Sequence, residues 1–169
     1  SALLYQNLFS GHPYGNPVFG KAENIRSLTA EQMEQFYKIH FVPAASALAV
    51  VGDFTLKEME DKVRACFGTV IKRDYVPAKF APVPRLPKSV DVEEALDVQE
   101  AYLVIGIAAP DYNSPDQYAA DILTEVLGRG INPLLYRPLK GNRNLINTAG
   151  MGFISLKYGG AFEVYLTLD

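Results

Sequence analysis

Pro77, Pro82, Pro84 and Pro87 fall in one short span of mixed charge. A proline ring removes a backbone donor and crowds the residue before it, so neither a helix interior nor a central strand passes through such a span. The chain must therefore fold as two stretches joined by an extended connector. Regular patterning dissolves from residue 69 to residue 95, which divides the sequence into 1–68, a linker at 69–95, and 96–169.

The first stretch reads as helix, strand, helix. Residues 2–9 (ALLYQNLF) have the character of a helix end, and the Gly/Pro/Asn-rich segment 10–20 breaks it, so the chain is expected to begin within an element. At 29–40, Thr29 with Gln32 forms the signature of a capping box, and Leu28 can pack on Met33. Met33, Phe36, Tyr37 and His40 then recur on one helical face, which places His40 as a core or helix-terminal histidine. SALAVVGDF at 46–54 is a continuous apolar run, the pattern of a strand buried on both faces. A second capping signature, TLKE at 55–58, opens a helix with the apolar stripe Leu56, Met59, Val63 and Phe67, ending at Gly68.

The second stretch opens with VQEAYLVIGIAAP at 98–110, a long strand whose Ala101, Leu103, Ile105 and Ile107 share a face. SPDQ at 114–117 carries a third capping signature with Pro115 at the first helical position. The helix it starts shows Tyr118, Ile122 and Val126 on one face, beside Ala119 and Leu123, and stops at Gly128. A short helix at 132–140 precedes two strand-like runs joined at Lys157 to Gly160, a β-hairpin, and Asp169 falls in or just after its last strand, so the chain is expected to end within a domain. These elements specify an α+β fold: a mainly antiparallel sheet backed by helices, in two partial lobes bridged by the Pro-rich linker.

Chemistry is sparse by comparison. The 169 residues are 49% hydrophobic and 21% charged, enough for a real core. Lys and Arg are scattered over a chain of net charge −3, so no footprint for nucleic acid or an anionic membrane is present. The longest apolar run, 47–51, is far too short to span a bilayer. Cys66 is the single cysteine, which excludes an internal disulfide and leaves the redox compartment open; its helical setting beside Phe67 favours a small buried thiol. A helical zinc site needs two histidines one turn apart with a glutamate to activate water. His12 and His40 are the only histidines and lie in different elements, which favours structural hydrogen bonding over ligation. Ser155 lacks a nucleophile elbow, the glycines at 150–152 precede no helix, and GRG at 128–130 is a helix stop. Glu93, Glu94, Asp116 and Glu125 read as solvated surface charge.

The order of segments says more than any one of them. HPYG at His12–Gly15, SLTAE at Ser27–Glu31, FYKIHFVP at Phe36–Pro43 and VVGD at Val50–Asp53 follow one another in a pattern that resembles the post-catalytic region of the pitrilysin/insulinase zinc metallopeptidases, the HxxEH inverzincins. YLVIGIAAP, YAADILTEVLG and PLLYRPLKGNRNL continue the likeness over essentially the whole chain. The resemblance implies that the HxxEH helix and the further glutamate ligand precede the part matched here. Zinc then belongs to the parent protein with its ligands upstream, and this chain holds no metal ligand and no catalytic residue. It implies lobes of the mitochondrial-processing-peptidase type, with 1–68 ending the catalytic-side lobe and 96–169 beginning its non-catalytic sister. Partners implied are a peptide substrate and other lobes or subunits of the same family, including a second copy; bacterial relatives of this pattern are often exported to the periplasm, while the compartment itself stays open.

Many family members carry an Arg and, seven residues on, a Tyr that contact bound peptide. The register of LKGNRNLIN sets Lys140 and Asn147 at those places. Both depart from the pattern, since Lys lacks the planar fork of Arg and Asn is shorter than Tyr, and an exposed lysine and an edge-strand asparagine account for them more simply. Two functions follow from the resemblance: the non-catalytic portion of a zinc peptidase that helps enclose substrate and pair lobes, or an inactive scaffold subunit acting in assembly.

Overall fold

The computed structural model describes residues 2–130, 133–141 and 144–168. The chain forms two compact units, Ser1–Gly20 with Phe80–Asp169, and Lys21–Lys79.

The larger unit is built on an antiparallel sheet of β1 (Ala101–Ala109), β2 (Thr148–Leu156) and β3 (Gly159–Leu168) in the order β1-β3-β2. The β2–β3 hairpin turns at Lys157 and Tyr158 and sets Thr148 opposite Thr167, whose hydroxyls are 2.8 Å apart. β1 completes the sheet with Ile105 opposite Val164, so Ile105, Val164 and Met151 lie in one row on one face. Gly106, Glu163 and Gly152 form the next row, on the other face.

Each face is approached by a different helix. Helix α1 (Ala2–Leu8) packs on β1, and Gly106 is what lets it close in: a Cβ there would sit 2.7 Å from Leu4 Cδ1. The buried cluster beneath it joins Leu8 and Phe9 to Ala161, with Tyr5, Tyr14, Val83 and Leu156 around it. Val83 comes from the Pro-rich span, and its amide donates to Tyr158 O at 2.8 Å. That span carries no helix or strand, yet Phe80 to Val83 closes one side of the core.

In chain order the remaining helices are α2 (Ala22–Ser27), α3 (Ala30–His40), α4 (Leu56–Phe67) and α5 (Gln117–Gly128). α5 covers β2 on the face opposite α1, and it does so through small residues: Ala120, Thr124 and Gly128 are buried, and Thr124 Oγ1 donates to Ala120 O. The expected apolar stripe, Tyr118, Ile122 and Val126, points outward instead and is at least half exposed. Packing chose the face that lets helix and sheet come closest, not the most apolar one. The helix also starts later than expected. Ser114 Oγ accepts the Asp116 N–H, the Gln117 N–H goes to the Ser114 carbonyl, and the Gln117 side chain accepts from Ser155 Oγ at 3.4 Å instead of turning back, so neither bond of the capping box forms. Residues Arg137–Gly141 form one π-turn; the short helix expected over 132–140 begins at Asn132, outside the described residues.

In the smaller unit the capping box at Thr29 and Gln32 is complete, with both hydrogen bonds formed. At Thr55 only half of it forms, because Glu58 pairs with Lys62. The strand expected at 46–54 is absent: the segment has no ladder, Leu48 is 60% exposed and Val51 97%. An apolar run becomes a strand only when a neighbour takes its backbone groups, and no described strand of this chain does so. The same lack of a covering layer decides two further expectations. His40 is exposed as the last residue of α3, the helix-terminal of its two expected places, with its ring 4.3 Å from that of Phe36, while Cys66 is exposed on α4 and not buried as expected.

Candidate functional site

The two residues singled out for substrate contact lie in the connection between α5 and β2. Lys140 sits half-buried in the π-turn, its carbonyl accepting the Asn144 N–H at 3.1 Å. Asn144 takes a positive φ of 47°, turning the chain toward β2. Asn147 is tied down harder: its backbone N–H donates to Thr167 O at 2.7 Å and its Nδ2 donates to Glu100 Oε1 at 3.3 Å, across the end of the sheet. It is a half-buried residue immediately before β2, an outer strand of the described sheet, and is held by Glu100 ahead of β1 and Thr167 near the end of β3.

His12 is also fixed, and deeply. It caps the one-turn helix Pro13–Gly15, its Nδ1 accepting the Tyr14 N–H at 3.2 Å. That bond leaves the proton of the neutral ring on Nε2, which is buried without a hydrogen-bond partner. Tyr14, Phe80 and Tyr158 surround the imidazole, with ring centroids 4.4, 6.1 and 6.0 Å away. These rings pack around the imidazole, and among the described residues no group of three or more His, Cys, Asp or Glu that could hold a metal ion includes it. His12 is therefore a fastening that clips the chain after α1 to the Pro-rich span and the hairpin turn.

The other side chains of chemical interest have structural employment as well. Ser155 donates to Gln117, and Gly150 is buried under Tyr165, which leaves no cradle for a phosphate at 150–152. Glu125 pairs with Arg129 at the solvent-facing end of α5. Among the described residues no group of three or more His, Cys, Asp or Glu is placed to hold a metal ion. The described residues do not fit a zinc site.

One polar pairing was missed at the sequence level. Tyr5 on α1 donates its hydroxyl to Glu163 Oε2 at 3.4 Å over the Gly106–Glu163–Gly152 row. The signal is a carboxylate flanked by glycine on both neighbouring strands, and it exists only once the register is known. Burial first, then the charge of Glu163 and its hydrogen bond, hold the Tyr5 hydroxyl above its usual 10.0. A raised value means the folded state keeps the proton longer, so this contribution to stability is intact below pH 10.0 and is lost as pH rises through the higher folded value. The Glu163→Gln variant is expected to lower the Tyr5 titration midpoint without returning it to 10.0, since burial remains. An alkaline absorbance titration read as the difference from Tyr5→Phe checks this; an unchanged midpoint would remove Glu163 from the account.

Residues 27–169 match the family described as peptidase M16 inactive domain. An uncharacterized zinc protease of Mycobacterium leprae is 26% identical over 163 residues, covering 94% of this chain and 36% of the relative. A crystal structure of a protease from Helicobacter pylori superposes with a TM-score of 0.85 at 21% identity, over 99% of this chain and 42% of that one. A chain of complex III2 from Candida albicans gives a TM-score of 0.79 at 19% identity, over 99% and 41%. The present chain thus spans well under half the length of the relatives it matches.

Proposed function

The chain belongs to the peptidase M16 inactive-domain family, and from that premise we propose that it is the non-catalytic portion of a zinc-dependent metallopeptidase acting on peptides or unfolded polypeptides. In this reading it helps enclose the substrate and pairs with other lobes. The observation that carries it is the family match over residues 27–169. Zinc and the water-activating glutamate are then supplied by an HxxEH helix of the parent outside these residues. In this reading residues 1–68 derive from the catalytic-side lobe of the parent, with 1–20 packed in the larger unit of this chain, 69–95 link the lobes, and 96–169 begin the inactive one; within the latter, Lys140 and Asn147 are the candidates for substrate contact. Lys140 would offer a peptide carbonyl a mobile charge and Asn147 an amide donor, provided it releases Glu100.

The departure of Lys140 and Asn147 from the Arg/Tyr pattern favours a second reading, a scaffold or partner subunit whose parent cleaves nothing. Elemental analysis and a quenched unstructured peptide, applied to this chain and to its full-length parent, separate the two. The expected outcome is zinc and chelator-sensitive cleavage in the parent and neither in the chain. Neither in both gives the scaffold reading its ground, and cleavage by these 169 residues alone would overturn both.

A further inference from the structure

The edges of the Pro-rich span differ in chemistry. Every residue from Ala81 to Pro87 except Arg85 is either a proline or the residue before one. Each is therefore held to extended or polyproline backbone, by the ring itself or by its crowding of the residue ahead. From Phe80 the chain makes no helix or strand, and it first bends at Pro87 and Lys88. A polyproline helix repeats about every three residues, so side chains at that spacing share an edge.

Phe80, Val83 and Leu86 form the inner edge. The Phe80 ring meets Tyr158 edge-on at 5.9 Å, and Val83 packs against the Phe9–Ala161 cluster. Val83 also lies over Gly159, where a Cβ would sit 2.9 Å from its Cγ2, and its amide is bonded to Tyr158 O. The rib is thus clamped along one edge. The other two edges face solvent: Ala81, Pro84 and Pro87 make one, Pro82, Arg85 and Lys88 the next, and all six are exposed. Pro84 and Pro87 stand about 9 Å apart at the polyproline rise of ~3.1 Å per residue. No ion pair or hydrogen bond engages Arg85 among the described residues. The nearest acids in sequence on either side are Asp74 and Asp91.

Proline rings seat against aromatic faces, and a guanidinium beside them selects a carboxylate. A rib already extended and clamped loses little further freedom on docking. We propose that Ala81–Lys88 is a docking rib for an acidic surface rich in tyrosine or tryptophan on a partner polypeptide. The inference is independent of whether the parent cleaves peptides, since it uses only the outward edges of the rib.

The probe is a random copolymer of glutamate and tyrosine, titrated calorimetrically into this chain and into the full-length parent, with polyglutamate as the comparison. A chain of net charge −3 gives an acidic polymer no general attraction, so saturable binding reports a local site. The copolymer is expected to bind both proteins, at least about tenfold more tightly than polyglutamate, because ring contacts add to charge. Arg85→Gln should weaken it at least about tenfold, and Arg85→Lys by less, since Lys keeps the charge without the fork. Pro84→Ala combined with Pro87→Ala should also weaken it, while Lys57→Gln, at an exposed lysine paired with Asp61 on α4, should leave it unchanged. Absence of binding, or equal affinity for the original chain and Arg85→Gln, would overturn the proposal. So would polyglutamate binding as tightly as the copolymer, which reduces the rib to a charge effect, or binding by this chain and not by the parent, which places the rib under cover in the intact protein.

Discussion

Phe9→Ala is expected to destabilise the larger unit by about 3–5 kcal/mol, a large part of what a domain of this size possesses. Phe9 is 1% exposed, the largest fully buried side chain among the described residues. Its ring stacks on Tyr5 at 5.6 Å and meets Tyr14 edge-on at 5.8 Å, and it shares a cluster with Leu8 and Ala161. Truncation removes the apolar transfer energy and leaves a hole ringed by α1, β3 and the Pro-rich span. Those elements cannot all close on it, because the Phe9 carbonyl holds the His12 N–H at 2.9 Å and Val83 is bonded to Tyr158. Urea denaturation would show the midpoint falling with little change in slope. Phe19→Ala, at a side chain 91% exposed, should move stability by no more than about 0.5 kcal/mol. A loss under about 1 kcal/mol for Phe9→Ala would mean that α1 is not an integral part of this core.

The same residue shows where sequence reading stops. The sequence marks α1 as a helix end and 10–20 as its break, and both are found. The apolar run at 101–109 and the two strand-like runs on either side of Lys157–Gly160 mark the strands, because short apolar segments bounded by turn residues report local geometry directly. What local pattern cannot report is which distant surface a face will meet. Tyr118, Ile122 and Val126 look like the buried stripe of α5, yet Ala120, Thr124 and Gly128 are the residues that are buried, Gly128 against Met151 of β2. SALAVVGDF carries every mark of a buried strand and remains exposed, since a strand is a property of a pair. His12 is legible as a fastening by elimination, while its partners Phe80 and Tyr158 depend on long-range folding. Tyr5 and Glu163, 158 residues apart in sequence, are brought together only by the α1–β1 packing and the sheet register.

Gly128→Val tests that geometry from the opposite direction, by adding atoms where none fit. A Cβ at Gly128 would run into Cβ, N and Cα of Met151, and two of those atoms are main chain. Side chains can rotate away from an intruder; a hydrogen-bonded strand can yield only by shifting β2 or lifting α5. Overpacking of this kind costs about 1–3 kcal/mol and sometimes more, and the main-chain neighbours place Gly128→Val at or above the upper end. The loss should concentrate in α5, so its amides would exchange faster than those of β3. Gly152→Ala supplies the contrast within the same strand, because a Cβ there meets nothing within 4 Å. A strand alanine also leaves the unfolded chain less freedom than glycine, so this variant should be neutral or slightly stabilising. Equal thermal shifts for the two variants would imply that the Ala120–Thr124–Gly128 face does not set the helix-to-sheet distance. Divergent shifts would identify that small-residue face as the feature that leaves the larger residues of α5 free for another partner.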